Sequence, residues 1–401
     1  MGLLKFILIA AIMLFPLGEV ARLQLGSGFS LILNDLIVVG LFVIWSVKFL
    51  LNRKIGHDEL LKPIIIFSCI GLSSLLINSR LVIDQEFFVS ASYMLRWVAY
   101  GSLYFIIKQF DINFKKKIVN LLTIMGGIMV LGGYCQYFLY PNLRNLYYLG
   151  WDEHMHRMFA SFLDPNFSGA FFVLYFIFLI GLMFKFIESK NFSRIRLMVY
   201  MAISILTLIA IFLTYSRSAL IMLLFALFVF LLIKKKKKWI FAVIFIFMIF
   251  FAFNYQNFYI ENINLFRTAS TQARIKSAME AINIIKRQPI LGVGFNSYRY
   301  AQIKYGTRSN ESAFKSHADA GTDNSFLFIL ATTGIVGFVS YLYLFFKLFR
   351  RLRVKENLSQ DLVWLKPVII ASSIGILIDS LFINSLFYPF IMMWFWIMLA
   401  L

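Results

Sequence analysis

LMVYMAISILTLIAIFLTYSRSALIMLLFALFVFLLIKKKKK, residues 197–238, contains two apolar runs, Leu197–Thr214 and Ala219–Ile233. Tyr215-Ser216-Arg217-Ser218 parts them and five lysines close them. Each run approaches the ~20 residues that a helix needs to cross a bilayer. The stretch therefore reads as two consecutive spans joined by a short turn. An arginine at the centre of such a span costs about 2.5–3.5 kcal/mol on insertion scales. Arg217 sits at a span end instead, and its residence there needs a reason.

The same texture recurs along the whole chain. Of 401 residues, 61% are hydrophobic and 14% charged, and the mean hydropathy is +0.80. This excludes an ordinary soluble domain. The runs are continuous rather than alternating, which excludes a β-barrel. The expected fold is an all-α polytopic membrane protein with about twelve spans: 3–18, 31–51, 60–77, 87–107, 118–140, 167–187, 197–214, 218–233, 239–254, 324–349, 364–383 and 385–401. The first span is followed by Gly18-Glu19-Val20-Ala21-Arg22, not by a small-residue cleavage site, and reads as uncleaved. Cys69 and Cys135 both lie in apolar runs and are expected to be buried thiols.

The net charge of +20 falls mostly in alternate short loops. Arg53, Lys54 and Lys62 form one group, Lys115–Lys117 another, and Lys234–Lys238 a third. By the positive-inside rule these loops and both termini are cytoplasmic. The charge is thus a topology signal, and no nucleic-acid partner is expected. Two longer loops face outward, 141–166 and 255–323, and the chain reads as one membrane domain beneath them.

With that orientation the intramembrane charges Asp35, Arg96, Arg217 and Asp379 all lie toward the outer face. Such groups are functional candidates, or they pair structurally, as Asp35 with Arg96 would. Three motifs stand in the outer loops. His156–Ala170 puts Arg157 ahead of Pro165-Asn166, with Asn166 expected to cap span six, and a helix N-terminus beside an arginine suits an anion. Residues 271–287 read as an amphipathic helix with Ile275, Met279, Ile282 and Ile285 as its apolar stripe. Arg274, Ala278 and Ala281 occupy another face, whose small residues allow close packing beneath the arginine. His317, Asp319, Asp323 and Asn324 gather before span ten. Metal ligation by that group is not expected, and His154 and His156 read as residues of a solvated loop.

At these motifs the chain resembles the bacterial O-antigen ligase and O-antigen polymerase family, multi-spanning glycosyltransferases of the GT-C type. The resemblance is carried by Arg157 with Pro165-Asn166, by Ser216-Arg217-Ser218, by Arg274 with Pro289–Gly294, and by Asn324 with Leu327 and Gly334. It implies an enzyme of the bacterial inner membrane, with its site facing the periplasm and an undecaprenyl-pyrophosphate-linked oligosaccharide as substrate. Ligases of the family typically carry histidine directly before the asparagine that opens span ten. Here that position is Asp323, with His317 six residues upstream. The difference turns the reading toward a polymerase of O-antigen or capsule repeat units. Membrane lipids and a chain-length regulator are its expected partners.

In that chemistry an acceptor hydroxyl attacks the anomeric carbon while negative charge grows on the departing pyrophosphate. Arginine suits the pyrophosphate because its fork pairs two oxygens and keeps its proton. Arg217 and Arg274 are assigned there, with Arg157 as a third cation. Asn166, Asn324, Arg96 and Asp35 are further substrate-binding candidates. Asp323 is the first candidate for the base, followed by His317, then Asp319. Neither cofactor nor metal is expected. The competing readings are a ligase that transfers glycan to a lipid A core or protein, and a flippase. The absence of a polar inner half and of an internal repeat weighs against a flippase.

Overall fold

The computed structural model describes residues 2–24, 30–52, 58–79, 84–188, 193–253, 269–309, 320–353 and 360–401. Every expected span has its helix. They are α1 (Gly2–Leu14, continued by a 3-10 segment Phe15–Ala21), α2 (Leu33–Asn52), α3 (Leu61–Ile77), α4 (Asp84–Lys108), α5 (Ile112–Leu139) and α6 (Pro165–Glu188). Then come α7 (Arg194–Leu213), α8 (Arg217–Ile233) and α9 (Lys237–Phe253). Two helices of the large loop follow, α10 (Ala269–Arg287) and α11 (Tyr298–Lys304). The last three spans are α12 (Ser325–Arg353), α13 (Leu365–Asp379) and α14 (Pro389–Ala400). Six of the spans are long and apolar enough to cross a membrane by length and composition, and α3, α8 and α14 are shorter apolar helices. This is an all-α polytopic membrane protein. One short hairpin departs from the all-α expectation: β1 (Arg22–Gln24) pairs antiparallel with β2 (Ser30–Ile32).

The helices begin where the sequence supplies caps. Asp111 accepts from Phe114 N at 2.9 Å to start α5, and Ser193 accepts from Arg196 N at 3.4 Å to start α7. The centre of the bundle is α6, buried without interruption from Ser168 to Leu179. It packs against α7, α8 and α13, while α4 packs against α2 and α14 and α3 packs against α12. Cys69 and Cys135 are exposed, contrary to expectation. They lie on outward apolar faces of α3 and α5, where lipid rather than protein covers a thiol.

One end of the bundle gathers the basic loops. Asp58 pairs with Lys108 at 2.7 Å and Arg351 at 3.4 Å. Lys116 pairs with Asp361 at 2.8 Å, and Lys234 with Glu188 at 2.9 Å. Lys5 near the N-terminus bonds Asp111, and Lys115 donates to the carbonyl of Ala400, so both chain ends sit at this basic end.

At the opposite end two spans are broken by glycine. In α12, Gly334 has φ 63° and ψ −169°. A Cβ there would lie 2.1 Å from the carbonyl oxygen of Ile290, so only glycine fits. The segment 289–294, which includes Gly292 and Gly294, lies along the break. Val293 N and Gly294 N donate to Ala331 O and Thr332 O, and Ile335 N and Val336 N donate to Pro289 O and Ile290 O. Ser74 adds a bond to Thr332 O at 2.9 Å, and Asn78 adds one to Gly292 O at 2.9 Å. An interrupted helix at membrane depth persists when protein satisfies its freed backbone groups in this way. The Pro289–Gly294 motif is therefore a backbone splint for α12. The second break is Gly18, with φ 56° and ψ −142° between α1 and β1.

Candidate functional site

A cavity of about 710 Å³ opens at the end of the bundle away from the basic loops. Its walls come from α4, α6, α10, the 3-10 segment after α1, the loop 150–164, the approach to α12 and the turn before α14. The volume is in the range that buries a drug-sized ligand, about 300–1,000 Å³. Strained backbone concentrates around it. Among the described residues, His156, Ala160, Leu163, Tyr215 and Asn296 have positive φ without being glycine, and only Lys235 does so elsewhere. Left-handed non-glycine residues cost about 1–3 kcal/mol each and cluster at functional sites.

The N-termini of α6 and α8 lie side by side beneath one wall. Gly169 makes this possible, since a Cβ there would lie 2.7 Å from the Cβ of Ala219. Asp164 caps α6 by accepting from Asn166 N at 2.6 Å and Phe167 N at 3.2 Å. Asn166 is thus not the cap that its position before the apolar run suggests, because Pro165 already occupies the first helical turn. Asn166 Oδ1 instead accepts from Ser216 Oγ at 3.0 Å and ties α6 to the cap of α8. Arg157 is buried and donates through Nε to Thr214 O at 2.8 Å. Its Nη2 reaches Asn166 Oδ1 and Tyr215 O, each at 3.4 Å. Arg157, Asn166 and the N-terminus of α6 thus line the cavity, with the first N–H groups of α6 taken by Asp164, and the N-terminus of α8 lies behind them.

Helix α10 lays Arg274 over that wall. Arg274 and Ser277 line the cavity, and Ala281 and Ile284 on the same face are buried. The small-residue face packs inward as read from the sequence. The apolar stripe does not: Ile275, Met279 and Ile282 are exposed, which is where an interfacial helix places residues that meet lipid. Among the described residues Arg274 has no hydrogen-bond or ion-pair partner. Arg217 is half-buried, lies close enough to Arg274 for their charges to interact, and donates to Thr271 Oγ1 at 3.1 Å. It lies outside the cavity lining, on the side where α8 meets α10.

The remaining candidates divide. Asp323 lines the cavity with Gly321 and Thr322. Asn324 caps α12, accepting from Phe326 N at 2.9 Å and Leu327 N at 3.0 Å, and donates to Leu381 O at 3.0 Å, so its amide is spent on the fold. His317 and Asp319 lie outside the described residues. Asp35 is fully engaged by Arg96 Nη2 at 2.5 Å, Tyr100 OH at 3.0 Å and Ile32 N at 3.2 Å. It is a structural counter-ion and does not line the cavity, whereas Arg96 does.

Several lining residues escape a reading of the sequence. His154, expected in a solvated loop, lies in the cavity wall with Nε2 3.9 Å from Asp164 Oδ2. Burial pushes the Asp164 carboxyl above its usual range, and the Asn166 and Phe167 N–H groups, Arg157 and Arg274 oppose that rise. Glu19, Arg22 and Tyr388 also line the cavity. Glu19 and Arg22 stand next to an apolar run that hides them, and only Gly18 hints at the break. Among the described residues no group of three His, Cys, Asp or Glu side chains is placed to hold a metal.

The O-antigen ligase family model matches residues 202–342, about a third of the chain. The matched stretch holds Arg217, Arg274, the Pro289–Gly294 splint, Asn324 and Gly334, the residues that carry the resemblance in the C-terminal half. No curated protein gives a significant match. The match supports a membrane-bound glycan-processing enzyme.

Proposed function

We propose that the protein is a polysaccharide polymerase. It transfers a growing glycan from undecaprenyl pyrophosphate to the non-reducing end of a second lipid-linked repeat unit. The observation that carries this reading is the uncommitted Arg274 in the cavity, next to Arg157 and the paired N-termini of α6 and α8. Arg274 supplies unspent donors and Arg157 adds positive charge, as a lipid pyrophosphate requires, while Asp164 already accepts from the first N–H groups of α6. The position of Arg217, half-buried at the α8–α10 junction, supports a lateral approach of the lipid.

The acceptor hydroxyl oxygen forms a bond to the anomeric carbon, and the bond from that carbon to the pyrophosphate oxygen breaks. The electron pair stays on the pyrophosphate, where Arg274, Arg217 and Arg157 offset the new charge. The hydroxyl proton passes to Asp323, which faces the same cavity. The charge asymmetry of the loops supports an inner-membrane protein with this cavity facing the periplasm, where a chain-length regulator would meet it.

The family match is equally compatible with a second reading, a ligase that moves finished glycan to another acceptor. Asp323 in place of histidine favours the polymerase. One assay separates them. Purified protein in nanodiscs receives the lipid-linked repeat unit and excess EDTA, with no other acceptor. A ladder of lipid-linked oligomers that vanishes in Arg274→Ala is the expected result. Transfer only after a lipid A core is added would establish the ligase, and strict dependence on added metal would overturn the metal-free chemistry.

A further inference from the structure

The cavity has a second wall that a pyrophosphate does not need. The break at Gly18 turns Glu19 out of the α1 axis and into the cavity lining, although it is only 5% exposed. A Cβ on Gly18 would lie 2.4 Å from Ser161 O, so the turn is specific to glycine. Arg22 holds Glu19 at 3.2 Å and Ser30 Oγ at 2.6 Å, and its guanidinium carbon lies 5.4 Å from the centre of the Trp151 ring. Tyr388 stacks flat on Phe167 with ring centres 4.0 Å apart.

Two buried polar atoms on this side have no hydrogen-bond partner among the described residues, Arg22 Nε and Asn384 Oδ1, and beside them Tyr388 OH faces the Glu19 carboxyl. All three residues line the cavity. The two unpartnered atoms are one donor and one acceptor, and buried polar groups are costly to leave unmade. An ionised phosphate has no proton to give to an acceptor such as Asn384 Oδ1. A sugar can satisfy both, since each of its hydroxyls donates and accepts, and its C–H face fits a flat ring. The two walls therefore differ in what they recognise.

We propose that Glu19, Arg22, Trp151, Tyr388 and Asn384 form a sugar subsite that holds the acceptor glycan at its non-reducing end, opposite the pyrophosphate wall. This rests on the transferase reading above and adds where the second substrate lies. Glu19 and Trp151 are positioning residues for the hydroxyl that Asp323 deprotonates.

The experiment uses full-length protein in nanodiscs and two probes. One is undecaprenyl pyrophosphate without sugar. The other is the soluble oligosaccharide released by mild acid from the lipid-linked pool of the cells that make the protein. Glu19→Gln and Trp151→Ala should each weaken oligosaccharide binding by about tenfold or more, the loss of roughly one good polar or stacking contact. Binding of undecaprenyl pyrophosphate should stay as in wild type in both variants; the melting temperature should stay so in Trp151→Ala, whereas Glu19→Gln lowers it by leaving Arg22 without its buried partner. Arg274→Ala should show the converse pattern. Oligosaccharide binding that survives both variants overturns the subsite and leaves the transferase standing. So does wild-type protein that binds only undecaprenyl pyrophosphate. Loss of both probes together with a lower melting temperature makes the cluster a fold clamp and also overturns it. Wild-type protein that binds neither probe overturns the transferase reading and the subsite with it.

Discussion

Arg96 and Arg274 line the same cavity and are held in opposite ways. On the α2–α4 side, Arg96 is closed on Asp35 at 2.5 Å and on Ser30 O at 3.1 Å, and lies 4.4 Å from the centre of the Tyr93 ring. Asp35 in turn has Tyr100 and Ile32 as partners. On the α8–α10 side, Arg274 has no such partner among the described residues, and a second arginine, Arg217, is near it. A charge removed from water is stable only when paired, so the first arginine is finished with its work when the chain folds. The second keeps its donors for something that arrives. Burial separates them too, because Arg96 is buried whereas Arg274 is only part-buried and lies within electrostatic range of Asp164.

The contrast breaks first at Asp35. Asp35→Asn leaves Arg96 charged and uncompensated, which should cost about 3–5 kcal/mol of stability. Thermal unfolding in nanodiscs should show the loss, and a second change, Arg96→Gln, should recover part of it by removing the orphaned charge. Additive losses would mean that the pair is not the clamp it looks. Arg274→Ala should do the reverse, leaving the melting temperature unchanged. The glycan-transfer rate should fall by about 10²–10³, the usual effect of deleting one preorganised donor to a developing anion. A melting temperature that falls with the rate would place Arg274 in the fold after all.

The fold was legible in the sequence because spanning helices leave a strong mark. Each run of apolar residues became a helix, and the alternating basic loops met at one end, where Lys5, Lys108, Lys116, Lys234 and Arg351 find acidic partners. The cations of the site were legible for the same reason, since arginine next to an apolar run is conspicuous. Its other residues were not. Glu19 and Tyr388 reach the cavity only because Gly18 breaks a helix and the chain re-enters before α14, and neither event has a periodicity. The cap of α6 was misplaced by two residues because Pro165 at the first helical position shifts the capping role to Asp164. The amphipathic pattern of α10 was legible, but the spacing of its apolar stripe does not say whether that stripe meets protein or lipid. Here the small residues face the protein, and the large apolar ones face where lipid would lie.

Arg217 gives the smallest and sharpest test of the comparison. It sits at the first position of α8, with Ser216 capping the helix by accepting from Ala219 N at 3.5 Å, so its backbone is fixed while its side chain reaches across to Thr271. Arg217→Lys keeps the charge and the long apolar stem. It loses the planar fork that pairs two phosphate oxygens at once. If Arg217 only repelled Arg274 or attracted the lipid by net charge, lysine would serve as well and transfer would proceed at the wild-type rate. If its fork pairs the pyrophosphate, the rate should fall by about tenfold or more, equivalent to roughly 1.4 kcal/mol of transition-state stabilisation. Thr271→Val is the control, because it removes the hydroxyl partner of Arg217 and leaves the fork. It should change the rate by less than the lysine variant does. A larger loss in Thr271→Val would shift the role of Arg217 from holding the leaving group to tethering α10 over the cavity.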